Sequence, residues 1–320
     1  MEHYRDTKLE NILDEDISKE DINIIRALPN IENEEPSTEI IMQSMHIDVV
    51  KREMEIRNKL RIVWEGYKSI VETVRVNQKL EDVYMTTLTR VFDFVDRYNR
   101  VQEFKSFCRS LRTGLQSAFN KRDRTYQEKT IYIDIEKTDV NTRNIEIRME
   151  QFKVATKLGL WGEAFTVLED INTLMKIRKA PLKNSLRCQY FENLALLFSK
   201  NNFWHYHAYA FYNFYLSYLT KPRLSQEEKQ NQADKLLLSI LIIPTLTIES
   251  QQSRDIQEKL SSMLITSTKV PDRNHLEELM VSKGVLENAS AQVRQLWNFM
   301  FLEFGVGSLK KGLEMVSGLG

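Results

Sequence analysis

Apolar residues recur every three or four positions through most of the chain, the repeat of an amphipathic helix. The pattern is strongest from Asn144 to Met175. In its first half Ile145, Met149, Phe152, Ala155 and Leu158 share one face; in its second half Trp161, Ala164, Phe165, Leu168, Ile171 and Met175 do. Gly159 separates the halves, since glycine takes the left-handed conformation that a helix end often needs. Two such helices joined by a tight turn fold face to face, but the pair buries too little alone and needs neighbours on both sides. Trp161 is expected to lie buried where this hairpin meets them.

The same period predicts helices on either side. Leu60, Val63, Trp64, Tyr67, Ile70 and Val74 form one stripe, behind a charged stretch from Lys51 to Lys59. Asn77 breaks the pattern. Leu80, Val83, Leu88, Val91, Phe92 and Val95 form a second stripe, and Tyr98-Asn99-Arg100 makes a turn. A third helix carries Phe104, Phe107, Cys108, Leu111, Leu115 and Phe119. Beyond the central hairpin, Ala180-Pro181 is a stop, because the residue before proline is disfavoured in a helix. Leu186, Tyr190, Leu194, Leu197 and Phe198 mark the next helix, and Asn201-Asn202 turns the chain. From Phe203 to Leu219 rings cover most of the helix circumference, which implies burial on more than one side. Ser225-Gln226-Glu227-Glu228 has the spacing of a capping box, and its helix runs toward Ile243 and Pro244. Further helices are expected through Ile256 to Leu264, near His275 to Lys283 with Gly284 closing it, near Ala289 to Phe304, and near Leu309 to Val316.

Two regions depart from this period. Residues 1–46 are acidic and poor in aromatics, with Pro29 and Pro36, and are expected to be largely disordered apart from a short helix near Asp21 to Leu28. Residues 120–143 open on Lys121-Arg122-Asp123-Arg124 and then alternate at Ile131, Ile133 and Ile135, as a short edge strand does or a linker lying on the helices. The expected organisation is thus an acidic segment 1–46, a helical-repeat region 47–143 ending in a basic linker, and a second helical region 144–320. The fold class is all-α, built of stacked helical hairpins.

Composition narrows the function classes. Hydrophobic residues make up 42% and charged residues 28% of 320, enough for a sizeable core, and only 10 Gly and 6 Pro fit a helical chain. Net charge is zero, so no overall field draws the protein to nucleic acid or membrane. Charge is nevertheless uneven: residues 1–40 hold twelve acids against four bases, and residues 97–129 hold nine bases against three acids. Two cysteines, Cys108 and Cys188, fit a reducing compartment better than a disulfide framework or a zinc site. The start Met1-Glu2-His3-Tyr4 does not read as a signal peptide, and the longest apolar run, Leu236 to Leu246, is too short to span a bilayer.

Catalytic chemistry does not emerge. His205 and His207 are two apart and point to different sides of a helix, so they cannot chelate one metal. Gly66-Tyr67-Lys68-Ser69 lacks the upstream glycine of a phosphate loop and lies inside a helix. Glu169-Asp170 is expected on a solvated face. No metal, cofactor or catalytic residue is implied. Arg97, Arg100, Lys105, Arg109, Arg112, Lys121, Arg122 and Arg124 form either an ordinary solvated face or a contact with RNA or an acidic protein surface.

One resemblance adds to this reading. Leu160-Trp161-Gly162-Glu163-Ala164-Phe165 with Glu169-Asp170-Ile171 resembles a helix of the PCI-domain family formed by the largest subunit of eukaryotic translation initiation factor 3. Trp64-Glu65-Gly66-Tyr67, Arg100 to Phe104 with Cys108 to Arg112, the Phe191 to Tyr215 pair, Leu224 to Glu228 leading to Ile243-Pro244, and Val293 to Asn298 with Leu302-Glu303-Phe304 follow in the same order, over about residues 50–316. The resemblance implies a right-handed solenoid of the TPR/PCI type. It also implies a non-enzymatic, cytoplasmic scaffold in a hetero-oligomer with subunits c and b and the small ribosomal subunit, with contacts to mRNA or rRNA and none to membrane. The other PCI assemblies, the proteasome lid and the COP9 signalosome, are the alternative. The family's upstream hairpins, closing winged helix and charged tail are expected to be missing or incomplete. Trp297, Phe301, Phe304, Leu309 and Leu313 would then form an apolar patch facing a partner.

Overall fold

The structure, a computed structural model, describes residues 19–28, 30–32, 47–75, 77–120, 135–178, 180–244, 254–264 and 270–302. Thirteen α-helices and one 3-10 turn, Gln78–Leu80, make up its regular structure, with no strand among the described residues. The helices are α1 (Lys19–Ala27), α2 (Ile47–Val74), α3 (Glu81–Tyr98), α4 (Val101–Asn120), α5 (Thr138–Lys157), α6 (Trp161–Ile177), α7 (Asn184–Lys200), α8 (Trp204–Tyr218), α9 (Gln226–Leu241), α10 (Arg254–Met263), α11 (Arg273–Ser282), α12 (Val285–Asn288) and α13 (Ala291–Leu302). They form two compact units: residues 1–170 with 177–179, and residues 171–176 with 180–320. The division falls inside α6.

Three helix-to-helix turns use one backbone device. Asn99, Gly159 and Asn202 take φ of 53°, 70° and 59°. After each, an N–H reaches back five residues: Arg100 to Val95 (3.1 Å), Leu160 to Ala155 (2.8 Å), Phe203 to Phe198 (2.9 Å). These bonds satisfy carbonyls that the helix end leaves open and send the chain straight into the next helix. At Gly159 a Cβ would meet nothing within 4 Å, so the left-handed backbone alone selects glycine there.

In unit 1, Leu60, Val63, Trp64, Tyr67 and Val71 of α2 meet Leu88, Val91, Phe92 and Val95 of α3, and Phe104, Phe107, Leu111 and Leu115 of α4 are buried with them. Trp64 lies against Phe94 (5.9 Å) and edge-on to Phe107 (5.7 Å). Two exposed ion pairs set the direction of α3 against α5. Arg143 pairs with Asp82 and Lys157 with Asp96 at 2.5 Å, the same fourteen residues apart on both helices, so the two run parallel. That is the relation between alternate helices in a row of hairpins. Exposed pairs add little stability; here they record register.

The short helix expected near Asp21 to Leu28 is α1, Lys19–Ala27, and Ile25 within it and Ile31 beyond it are fully buried. Other expectations are corrected in this unit. Helix α5 begins at Thr138, six residues before the start read from the sequence, with Val140 buried ahead of Ile145. Ile135 is buried in the turn before it, and Ile131 and Ile133 lie outside the described residues. Trp161, expected at the centre of the core, is only half-buried at the first position of α6.

In unit 2, α7 and α8 pack along their length and α9 covers α8. Tyr212 and Tyr215 of α8, Leu236, Leu237 and Ile240 of α9, Leu276 and Met280 of α11, Val285 of α12 and Val293 and Trp297 of α13 share one core. The capping box opens α9: Ser225 Oγ accepts from the Glu228 N–H at 3.1 Å, and Glu228 Oε2 accepts from the Ser225 N–H at 3.0 Å. The buried Tyr190 hydroxyl donates to the Met263 carbonyl at 2.7 Å, which fixes α10 against α7. The four-residue helix α12 has no counterpart in the sequence reading, and the helix expected over Leu309 to Val316 lies outside the described residues.

Candidate protein and nucleic-acid interface

The five described basic positions do not form one surface. Arg97 and Arg109 are exposed and Lys105 is half-buried. Arg100, by contrast, is 3% exposed. Its guanidinium pairs with Glu103, itself 1% exposed, and Nη1 donates to the carbonyls of Ile25 and Leu28, each at 3.0 Å. A group that holds two backbone carbonyls and a buried carboxylate is structural, not an RNA contact. Arg112 is partly exposed and faces two acids, its Nη2 3.5 Å from Glu169 and its Nε 3.7 Å from Asp170. Lys121, Arg122 and Arg124 lie outside the described residues.

Glu169-Asp170 is therefore not a solvated face. Asp170 is buried, and burial pushes its carboxyl up, against the pull of Arg148 and Arg112. Arg148 anchors the surrounding network: it donates to Gln151 Oε1 at 2.6 Å and to the Leu111 carbonyl at 3.1 Å. Gln151 Nε2 in turn donates to Cys108 Sγ at 3.1 Å. Burial drives the Cys108 thiol up to about 12 in spite of that bond, so it stays protonated and inert at neutral pH.

Residues 30–32 bring further polar groups together. Glu32 Oε1 accepts from Trp64 Nε1 at 2.8 Å and Lys68 Nζ at 2.9 Å, and Ile31 N–H donates to Glu103 Oε1 at 2.8 Å. Burial pushes the Glu32 carboxyl up, but the bonds from Trp64 and Lys68, the Lys68 charge and the Ser106 hydroxyl outweigh it, so it titrates below its ordinary 4.5. A depressed folded-state pKa gives a contribution that is complete above the unfolded pKa and is lost as pH falls through the folded one. Docking of residues 30–32 should hold from neutrality down to pH 4.5 and weaken below it. Tryptophan emission against pH measures this; Glu32→Gln should remove the acid limb, and an unchanged limb would place the titrating group elsewhere.

The C-terminal apolar positions separate as well. Trp297 is 2% exposed in the unit 2 core, so it is not available to a partner. Phe301 is partly buried, 4.5 Å from Trp297, with the Arg273 guanidinium 5.1 Å over its ring. Phe304, Leu309 and Leu313 lie outside the described residues. Within the described residues no group of three or more His, Cys, Asp or Glu could hold a metal ion, and no helix is long and apolar enough to cross a membrane.

Residues 5–308 match the protein family described as eIF3a, PCI domain, TPR-like region. The chain belongs to this family. Among curated relatives, the eIF3a subunit of eukaryotic translation initiation factor 3 from Yarrowia lipolytica is 30% identical over 261 residues, covering 81% of this chain and 27% of that protein. Its counterpart in Chaetomium globosum is 29% identical over 267 residues, covering 77% and 25%. That of Aspergillus niger is 29% identical over 279 residues, covering 80% and 26%. The chain thus spans about a quarter of the length of the curated relatives it matches.

In this member of the eIF3a PCI family, Arg100 to Arg112, one of the stretches that carry the resemblance, holds the buried pair Arg100–Glu103 and the partly exposed Arg112. The sequence reading missed the role of Arg100, Glu103, Arg148 and Glu32. One signal was present: Arg100 and Glu103 stand in register with Phe104, Phe107 and Leu111, and charges in register with an apolar stripe are buried as pairs.

Proposed function

We propose that this chain is the helical scaffold part of the eIF3a subunit of translation initiation factor 3. It works in the cytoplasm without catalysing a reaction. Its rows of hairpins hold neighbouring subunits, c and b among them, while the 43S pre-initiation complex assembles on the small ribosomal subunit for mRNA recruitment. The carrying observation is the family match over residues 5–308, on a chain whose buried charges are spent on packing. The relatives' names favour this reading over the proteasome lid and the COP9 signalosome. Phe304, Leu309 and Leu313 are assigned to the subunit c side. Affinity purification of the tagged chain from extract tests the assignment: co-purifying initiation factor 3 subunits and small-subunit ribosomal proteins are expected, and proteasome lid subunits in their place would overturn it.

Within this reading Arg97, Lys105 and Arg109 supply the contact with ribosomal RNA. Each phosphate neutralised releases counterions, so the slope of log K against log salt shrinks by about 0.9 for every phosphate left unneutralised. Lys105→Glu with Arg109→Glu should weaken binding to purified small subunits and flatten that slope by about 1–2. Binding that is unchanged and independent of salt would return these residues to an ordinary solvated face.

A further inference from the structure

Residues 19–28 and 30–32 lie along unit 1 as a strap, and most of the polar groups that hold it belong to the body. Arg100 donates to the carbonyls of Ile25 and Leu28, Arg57 Nη2 donates to that of Asn30 at 3.3 Å, and Glu103 accepts from the Ile31 N–H. These four bonds read backbone. Among the described side chains of the strap, Ile25 and Ile31 are fully buried, and Glu32 is held by Trp64, Lys68 and Ser106. Backbone contacts for affinity and a few side-chain pockets for selectivity are the division of labour in peptide-binding sites.

The receiving side is fixed by contacts of its own. Trp64 is held by Phe94 and Phe107. Arg100, just ahead of α4, pairs with Glu103 in its first turn, and Lys68 also reaches Glu65 at 2.9 Å. A preorganised receptor loses little freedom on binding. Its charge is also complementary: Arg100 sits at the carbonyl end of α1, where a cation is favoured, and Lys68 meets a carboxylate.

We propose that this face of unit 1, formed by α2, α3 and the start of α4, is a peptide-recognition groove, occupied in cis by residues 19–28 and 30–32, which takes from a protein partner a short helix followed by an aliphatic–acidic pair. The partner segment needs aliphatic residues at the places of Ile25 and Ile31 and a carboxylate at that of Glu32. The strap is the resident competitor. It belongs to the same chain as the groove, and a competitor on the same chain acts at an effective concentration of about millimolar, so a free peptide of equal affinity gains entry only near that concentration or when the strap is weakened. This inference rests on the geometry of unit 1 and is independent of the proposed function.

The test uses the full chain and a fluorescent peptide of residues 17–34, read by anisotropy. The chain carrying Ile31→Asp and Glu32→Lys should bind the peptide saturably, and about tenfold or more tighter than the unsubstituted chain does; a peptide with Glu32→Lys should lose about tenfold or more, as for a charge-assisted bond. Hydrogen exchange on the unsubstituted chain provides the second measurement: millimolar peptide should speed exchange of the Ile31 and Glu32 amides, and the Glu32→Lys peptide should not. A folded double variant that does not bind overturns the proposal. So does a double variant that fails to fold, when combined with unaltered exchange in the unsubstituted chain, for the strap would then be an inseparable part of the core.

Discussion

Trp64→Ala should lower the stability of the chain by about 3–5 kcal/mol, the range for emptying a buried aromatic site. Trp64 is 0% exposed, and its ring touches Phe94 and Phe107 from α3 and α4 while its N–H holds Glu32. Truncation therefore removes packing against two helices and against residues 30–32 at once. Trp161→Ala should cost about 1–2 kcal/mol, because a half-buried side chain at a helix start has less packing to lose and its site refills with water. Trp64→Phe should fall between, keeping most of the ring and losing the donor. Guanidinium melts followed by circular dichroism compare the three. A Trp161→Ala loss larger than that of Trp64→Ala would put the hub of the core back at the α5–α6 turn.

The contrast between the two tryptophans shows what periodicity carries. Spacing says which residues share a face; it does not say how far a neighbour extends over that face. Trp161 and Ala164 are on one stripe, yet Ala164 is fully buried and Trp161 is not. The turns at Asn99, Gly159 and Asn202 were legible because each ends an unbroken apolar repeat. The capping box at Ser225 was legible because its two bonds are local. What could not be read were long-range polar pairings. Glu103 meets Ile31 from 72 positions away, and Trp64 meets Glu32 from 32. An acidic, aromatic-poor segment gives no local sign that two isoleucines and one glutamate within it have partners. Trp297 failed for a related reason: it belongs to a core shared with α8, α9, α11 and α12, elements whose placement the stripe on α13 does not encode.

Replacing Arg100 is expected to be as damaging as emptying the Trp64 site, by a different route. Arg100→Met leaves the Glu103 carboxylate, 1% exposed, without its counter-charge, takes the Leu28 carbonyl's donor away, and leaves the Ile25 carbonyl only the longer bond from the Leu28 N–H at 3.3 Å. Breaking one side of a buried ion pair costs about 3–5 kcal/mol, since the remaining charge is neither hydrated nor compensated. Glu103→Gln should cost less than Arg100→Met, because an amide oxygen can still accept from the Ile31 N–H. Arg100→Lys keeps the charge but not the planar fork that serves a carboxylate and two carbonyls together, so it should fall between wild type and Arg100→Met. The decisive variant is Arg100→Met with Glu103→Leu. Removing both charges removes the uncompensated one, so the double variant should lose less than the two single losses added, and the coupling energy should be about 2 kcal/mol or more. Its residual cost is that of the Leu28 carbonyl and the Ile31 N–H left without partners, about 1 kcal/mol each. Denaturant melts of the four members of the cycle measure that coupling. Strict additivity would show that Arg100 and Glu103 each hold the strap's backbone separately and that their mutual charge contributes nothing.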